Sequence, residues 1–327
     1  MTLLFSLLLL ATPETAFDQW RPVLTIDDDF GDDEVFLGQP AATTVFKNKL
    51  YIADYSNYVF IFEDGNLLKR VGGKGKGPKE ISQSPSRFKV EDGRLVLECF
   101  NNLERVVFSE DGEIAEKFKG SKTLQDSFGA RSYKILSHND FAKHPARLMD
   151  QKSGQLFGVL PTSEVDDLDR HQLARTIFTF APNGDIILAS PNGRIQSFDP
   201  ETGAKKAAYQ LPTAVLTRDP EYDRVSSKLW LVKNKNPLKM YRFGAPMRDI
   251  QVDDENRIWV LVTNEHKIVK RRRTEHHLFC ISPQKKRVIF NSRVPDGVTQ
   301  VQLSEGFLIT QAPAHSTVTV YALKDMP

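Results

Sequence analysis

The chain has 327 residues, with a hydrophobic fraction of 40% and a charged fraction of 26%, which is typical of a soluble globular protein and excludes a disordered or membrane-embedded one. The formal net charge is only +2, so the protein as a whole has no electrostatic field that favours nucleic acid, and only local clusters of charge can attract a partner. The length permits one large domain or two ordinary ones.

The chain opens with an apolar run, Met1 to Ala11. A membrane-spanning helix needs roughly 20 residues, so no transmembrane segment is expected. The length of the run instead fits a secretory signal, and residues 1–16 are predicted to be a signal peptide cleaved near Ala11 or Ala16. The expected location is periplasmic or extracellular. A first strand or a misassigned start codon remains the alternative, because no Lys or Arg precedes the run.

A turn containing Asn, Asp or Gly, followed at once by an apolar run, recurs six times along the chain. The first apolar residues of these runs are Leu50, Leu95, Phe141, Ile186, Ile258 and Phe307. Successive runs are 45, 46, 45, 72 and 49 residues apart, and a period near 45 is typical of a four-stranded propeller blade. We therefore predict an all-β fold: one six-bladed β-propeller of four-stranded antiparallel blades over residues 17–327.

The sixth repeat ends at Leu323, one strand short of a complete blade. A spare apolar segment, Val23 to Ile26, precedes the first repeat. Because an open sheet edge is an aggregation liability, this segment is predicted to pair as the outer strand of the last blade and close the ring. Deletion of residues 20–30 is then expected to collapse the thermal stability.

The 72-residue interval exceeds the 45-residue spacing by 27 residues. We place this excess in an insertion at about residues 213–245. Insertions in repeat proteins tend to lie on one face and to bind partners, although a cap over the central channel is an equal alternative.

The connector between the first two repeats contains four glycines and one proline between Gly72 and Pro78, which can continue neither a helix nor a central strand. The run from Gly72 to Ile81, followed by Pro85, resembles the G-x-G-x-G-P-x-x-F-x-x-P connector of bacterial NHL-like six-bladed β-propellers. Lys79 and Ile81 depart from that pattern, and the close match covers residues 72–100. The resemblance implies a six-bladed propeller, often exported or surface-attached, in which binding is more usual than catalysis.

Propeller topology places the connectors between blades, and the turns between the two middle strands, on one face, which we call the top face. Two basic segments are expected there, and their cationic residues are the predicted ligand-binding residues: Lys74, Lys76 and Lys79 in the connector, and Lys270, Arg271, Arg272 and Arg273 in a turn over residues 265–275. The insertion adds further lysines, whereas an acidic segment at 164–169 should also lie on this face.

A basic face attracts anions by steering, and Arg matches phosphate or carboxylate geometry. The predicted function is therefore a non-catalytic exported propeller that binds an acidic glycan, a cell-wall polymer or a protein. Nucleic acid is disfavoured, because no known nucleic-acid module is present. A solvated charge run without any partner remains the alternative for residues 270–273.

Chemistry-bearing motifs are few. Cys99 and Cys280 have no metal or redox spacing and are expected to be buried free thiols, with one disulfide left open. His276 and His277 adjoin on a predicted strand, so their side chains point to opposite faces. No phosphate loop or nucleophile elbow is present, so no catalytic residue, cofactor or metal is predicted. The alternative function is a metal-dependent lyase or hydrolase with its site at the central channel. The ligand and the oligomeric state stay open.

Overall fold

The computed structural model describes residues 20–27, 37–91, 93–99, 104–119, 126–128, 131–135, 148–158, 177–190, 193–212, 247–268, 271–294, 298, 300–312 and 317–325. The chain divides into two compact units. Unit 1 contains residues 1–21, 162–296 and 325–327, and unit 2 contains residues 22–161 and 297–324. The predicted signal peptide, the insertion and the acidic segment at 164–169 all lie outside the described residues.

The structure is built from short strands, numbered in chain order. The first thirteen strands are β1 Leu24–Ile26, β2 Pro40–Phe46, β3 Lys49–Asp54, β4 Tyr58–Glu63, β5 Asn66–Gly72, β6 Pro85–Glu91, β7 Arg94–Cys99, β8 Glu104–Phe108, β9 Ile114–Lys119, β10 Asp126–Phe128, β11 Arg131–Ile135, β12 Leu148–Asp150 and β13 Leu156–Phe157. They are followed by β14 Ile177–Phe180, β15 Ile186–Ala189, β16 Arg194–Phe198, β17 Lys205–Gln210, β18 Met247–Val252, β19 Ile258–Ile268, β20 Arg271–Ser282, β21 Arg287–Arg293, β22 Gln300–Ser304, β23 Phe307–Ala312 and β24 Thr317–Ala322. A 3-10 helix follows at Leu323–Asp325.

Within the described residues these strands form six four-stranded sheets. Five sheets follow the chain order, as β2–β5, β6–β9, β10–β13, β14–β17 and β18–β21. The sixth has the order β1-β24-β23-β22. Five of the six apolar residues that define the sequence period lie in the second strand of a sheet; Phe141 is outside the described residues. The predicted all-β fold and its four-stranded repeat are therefore confirmed.

Two-residue turns close several hairpins of unit 2. Lys47 and Asn48, between β2 and β3, both have positive φ (49° and 61°), and so do Asp64 and Gly65 between β4 and β5 (49° and 82°). Positive φ at both central positions defines a type I′ turn, whose twist matches that of the flanking strands. Asn48, Asp64 and Gly65 therefore favour these turns because Asn, Asp and Gly adopt positive φ more readily than other residues.

The sheet β2–β5 is buried on both faces. One face packs against β6–β9 through a cluster that includes Tyr51, Phe88 and Phe108, whose ring centroids are 6.1–6.2 Å apart. The other face packs on the β1-β24-β23-β22 sheet through residues such as Phe60 and Ile309. Burial on both faces explains why β3 and β4 are almost continuously apolar. The outer strand β5 alternates between exposed and partly buried residues.

The amino-terminal strand completes the last sheet, as predicted. β1 pairs antiparallel with β24, with Leu24 opposite Val320 and Ile26 opposite Val318, and the Val23 amide adds a 2.8 Å hydrogen bond to the Val320 carbonyl. β2 lies beside both β6 and β22. The sheets that contain these strands are four-stranded meanders that pack face to face with their first strands side by side, and the last sheet is completed by a strand from the other end of the chain. This is the organisation of β-propeller blades.

Unit 1 repeats this packing. β14 lies beside β18, and the two sheets share a core that includes Ile187, Val260 and Phe279. At the edge of this core Phe290 stacks on Trp20 at 5.4 Å between ring centroids and lies 6.1 Å from Trp259.

One predicted turn is wrong in its extent. The described residues of this segment, 265–268 and 271–275, are paired strands and not a loop: β19 and β20 stay paired from Ile258 opposite Ile281 to Ile268 opposite Arg271. The backbone of Arg271 to Arg273 therefore belongs to strand β20. Antiparallel pairing satisfies the hydrogen-bonding groups of this backbone. A run of charged residues without Gly or Pro does not by itself end a strand. Lys270 lies outside the described residues.

Candidate binding site on the connector loop

We call the segment from Gly73 to Ser84, between β5 and β6, the connector loop. Its entry requires glycine at two positions. Gly72 and Gly73 have φ of 90° and 105°, and an added Cβ would lie 2.7 Å from the Asn57 carbonyl oxygen at Gly72 and 3.0 Å from the Tyr58 ring at Gly73. The glycine-rich sequence therefore lets the backbone cross closely over the β3–β4 turn.

Asn57 holds this crossing in place through two hydrogen bonds. Its side-chain Nδ2 donates to the Ile81 carbonyl at 2.8 Å, and its own carbonyl accepts the Gly73 amide at 2.8 Å. The Ile81 amide then donates to the Gly73 carbonyl at 2.8 Å, across the base of the loop. The Ile81 side chain is fully buried in the core between the two sheets. The loop is therefore anchored at its base by three hydrogen bonds and one apolar side chain.

A buried ion pair supports the far side of the loop. Lys117 Nζ lies 3.2 Å from Glu104 Oε1, and the two side chains are 17% and 3% exposed. Glu104 Oε2 accepts the Ser82 and Gln83 amides at 2.8 and 3.1 Å. Lys117 also donates to the carbonyls of Gly77, at 3.0 Å, and Glu80. Both charges are thus paired with each other and with loop backbone, which is the condition under which buried charges are tolerated.

The three lysines predicted from the sequence, Lys74, Lys76 and Lys79, are all exposed on this loop. Lys79 Nζ lies 3.8 Å from Glu113, which also accepts a 2.9 Å hydrogen bond from Lys69. These lysines, Lys69 first, lower the pKa of the Glu113 carboxyl. In the part of the chain that the structure describes, Lys74 and Lys76 form no ion pair. By contrast, the charge of Lys79 is partly compensated.

An aromatic–cation pair lies beside the loop entry. The Arg70 guanidinium lies over the Tyr58 ring, 4.7 Å from its centroid, a geometry in which the ring face attracts the cation. Arg70 adds a third positive group next to Lys74 and Lys76 in the sequence. Glu80 is the opposing charge within the loop, and its Oε2 accepts the Gly77 amide at 2.7 Å.

The second predicted basic segment belongs to the other unit. Arg271, Arg272 and Arg273 lie in β20 of unit 1, whereas the connector loop belongs to unit 2. A common basic top face formed by both segments therefore stays a prediction.

The remaining reactive side chains are buried. Cys99 and Cys280 are free and buried, as predicted, and burial raises the pKa of both thiols to about 12. His276 Nδ1 lies 2.9 Å from Thr263 Oγ1, and burial, with smaller contributions from Arg248 and His277, lowers its pKa to about 4. Among the described residues, no group of three or more His, Cys, Asp or Glu side chains could hold a metal ion. No helix in the described part of the chain is long and apolar enough to cross a bilayer.

The sequence missed the residues that hold the loop in place. A single Asn or Glu near a strand end is common, and the partners of Asn57 and Glu104 lie 13 to 24 residues away in the chain, so no local pattern marks these two residues. The only available signal was the positive-φ preference of Asn in a turn, and Asn57 has φ of 68°.

No protein-family model matches this chain, and no curated protein matches it. Solved structures do resemble it in fold. A candidate exported protein from Bacteroides fragilis is 8% identical, with 91% of this chain and 93% of that chain covered and a TM-score of 0.52. Raptor from Chaetomium thermophilum is 11% identical, with 93% of this chain but 29% of that chain covered and a TM-score of 0.50. The WD40 β-propeller domain of Doa1 is 11% identical, with 94% of each chain covered and a TM-score of 0.41.

At these identities a structural likeness shows the fold alone. The class defined by the sheets of this chain is that of β-propeller proteins.

Proposed function

We propose that this chain is an exported, non-catalytic six-bladed β-propeller that binds an anionic partner through basic residues of the connector loop. The observation that supports this function best is the pair Lys74 and Lys76: both are exposed, and neither forms an ion pair within the described residues. They project from a loop whose base is anchored by Asn57, Ile81 and the Glu104–Lys117 pair. A preformed loop loses little conformational entropy when a partner binds.

Support for a six-bladed ring comes from the six four-stranded sheets among the described residues and from the pairing of β1 with β24. Export is supported by the apolar amino terminus and by the likeness to a candidate exported protein of Bacteroides fragilis. A periplasmic or extracellular location favours an acidic glycan, a cell-wall polymer or a protein as the partner. Arg271 to Arg273 would extend the same basic surface if the ring brings both segments to one face.

The test is charge reversal of the two unpaired lysines. The Lys74→Glu/Lys76→Glu variant should elute from a heparin column at a lower salt concentration than the unaltered protein, because electrostatic binding weakens with each lost cation. Lys285→Glu/Lys286→Glu is the matched control, since these lysines are exposed in the β20–β21 turn of unit 1 and the net charge changes equally. If both variants elute together, the binding is non-specific and the connector loop is not the site.

Reversal of Arg271, Arg272 and Arg273 tests the second segment in the same way. A shift in elution for this variant as well supports a shared basic surface. Unchanged elution limits the site to the connector loop.

A further inference from the structure

A cleft of about 370 Å³ lies within unit 1, between the sheets β14–β17 and β18–β21. Its volume is at the lower end of the range of roughly 300–1,000 Å³ that is usual for small-ligand sites. The residues around it come from the β14–β15, β18–β19 and β20–β21 turns and from the adjoining strands. None of the basic residues of the proposed anion site that the structure describes lines this cleft.

The cleft combines an aromatic ring with neutral hydrogen-bonding groups. Tyr209 supplies the ring, Ser197 a hydroxyl, and Asn183, Asn256 and Gln284 their amides. Amides and hydroxyls both donate and accept hydrogen bonds. Such a lining is complementary to a ligand whose own groups do both, as sugar hydroxyls do. The Tyr209 ring, which is partly exposed, offers an apolar face to the C–H side of a sugar ring.

Among the described residues that line the cleft, Asp185 is the one carboxylate, and it is paired with a lysine. Asp185 Oδ1 lies 2.5 Å from Lys206 Nζ, and Asp185 Oδ2 accepts the Asn183 Nδ2 at 3.2 Å. Lys206 is in turn 3.2 Å from Asp199. The Tyr209 phenol is uncharged at neutral pH, since the ordinary pKa of a phenol is about 10 and burial raises the pKa of this group. Because the carboxylate of Asp185 is the one ionised group among the described lining residues and is already paired, a neutral ligand fits the cleft better than a charged one.

The polar groups are also held in position before any ligand binds. Asn183 Oδ1 accepts the Asp185 amide at 3.1 Å. Gln284 Nε2 donates to the Glu255 carbonyl at 3.3 Å, while its Oε1 accepts the Ser282 hydroxyl at 3.1 Å. The apolar residues Ile187 and Ile258 form part of the wall. A rigid arrangement of this kind lowers the entropic cost of binding a small polar molecule.

From this lining we infer that the cleft binds a neutral sugar residue of a glycan, with Tyr209 stacking on the sugar ring and the amides of Asn183 and Gln284 facing its hydroxyls. This site is distinct from the connector loop and does not depend on an anionic partner. It adds a carbohydrate-binding activity to unit 1.

The test is saturation-transfer difference NMR on the full chain with three neutral disaccharides at millimolar concentration: cellobiose, maltose and N,N′-diacetylchitobiose. We expect saturation transfer to at least one of them. Tyr209→Ala should weaken its binding roughly tenfold, as expected for loss of an aromatic contact, whereas Tyr209→Phe should retain most of the affinity. Tyr55→Ala is the matched control, since this exposed tyrosine does not line the cleft.

Gln284→Ala is the second variant, because Gln284 is in an exposed turn and its truncation leaves the core intact even if Tyr209→Ala unfolds the protein. It should also weaken binding. Absence of saturation transfer to all three sugars, or transfer that is the same in Gln284→Ala and Tyr55→Ala, overturns the inference. Lys74→Glu/Lys76→Glu should bind the sugar normally, so failure of the anion site and failure of this cleft are distinguishable.

Discussion

The Thr44 and Ser304 hydroxyl oxygens lie 2.7 Å apart in the buried core, although 260 positions separate the two residues in the chain. Ser304 Oγ also accepts the Val45 amide at 3.1 Å and donates to the Val45 carbonyl at 3.0 Å. A hydroxyl has one proton and two lone pairs. Both hydroxyls also lie within hydrogen-bonding distance of the Val45 carbonyl, Thr44 at 3.4 Å and Ser304 at 3.0 Å, so either one can be the donor in the 2.7 Å bond. A second bond, from Gln311 Nε2 to Thr43 Oγ1 at 2.9 Å, extends this polar seam between the first complete sheet and the last.

Truncation of Ser304 should destabilise unit 2. Ser304→Ala leaves the Val45 amide and the Thr44 hydroxyl without this partner, and an unsatisfied buried polar group costs about 1–3 kcal/mol. Urea unfolding followed by circular dichroism measures the change in the free energy of unfolding. Ser86→Ala, on an exposed position of β6, is the control and should change it by less than about 0.5 kcal/mol. Equal midpoints for the two variants would show that the seam contributes nothing.

Placing a charge on the buried side of β1 should release the strand that completes the last sheet. Ile26 is 4% exposed and packs with Val318 and Phe60, so Ile26→Asp buries an unpaired carboxylate, and the loss should exceed the roughly 2–5 kcal/mol of a cavity substitution. Thr25→Asp introduces the same charge on the exposed side of the same strand and should leave the thermal midpoint nearly unchanged. If neither Ile26→Asp nor Thr25→Asp lowers the thermal midpoint by more than a small amount, β1 is dispensable for stability. That result would also refute the expected collapse of thermal stability on deletion of residues 20–30.

Removal of Lys117 alone should lower the free energy of unfolding more than removal of both charges of the Glu104–Lys117 pair. Lys117→Met leaves the Glu104 carboxylate buried without its cation, held only by the Ser82 and Gln83 amides, so the free energy of unfolding should fall by about 3–5 kcal/mol. The double variant Glu104→Gln/Lys117→Met should recover part of this loss, because it removes the uncompensated charge. Chemical denaturation of the two single variants and the double variant measures the coupling. Additive losses would show that the two side chains act independently.

Stability should fall in acid partly through His276. Its pKa is about 4 in the folded protein against the usual histidine value of 6.5, so between these values the unfolded chain binds more protons. This contribution is fully present above about pH 6.5 and is lost as the pH falls toward 4, with a magnitude on the order of 3 kcal/mol. Free energies of unfolding measured from about pH 4 to about pH 8 should show this slope.

His276→Leu should flatten that slope, because the titrating group is gone. His277→Gln is the control: His277 is the adjacent, less buried residue of β20, and its removal should leave most of the slope in place. If His276→Leu keeps the full pH dependence, carboxyl groups rather than His276 account for it.

Much of the architecture was predictable because the relevant signals are local. The turn residues before Leu50, Leu95, Ile186, Ile258 and Phe307 mark second strands in the structure, and the spare apolar segment at Val23 to Ile26 correctly indicated the pairing of β1 with β24. The hairpin of β19 and β20 was predicted too short, because charged residues at its tip resemble a loop in sequence while their backbones remain paired.

The amino-acid sequence alone predicts the strand repeat, the pairing of the amino-terminal strand with the incomplete sixth repeat, and the lysines of the connector. Each of these follows from the alternation, turn preference or charge of individual residues. The Thr44–Ser304 bond, the Glu104–Lys117 pair and the cleft at Tyr209 emerge only on folding. Each joins side chains from different strands or sheets, and their energies depend on burial and on distances of a few ångströms that no local pattern encodes.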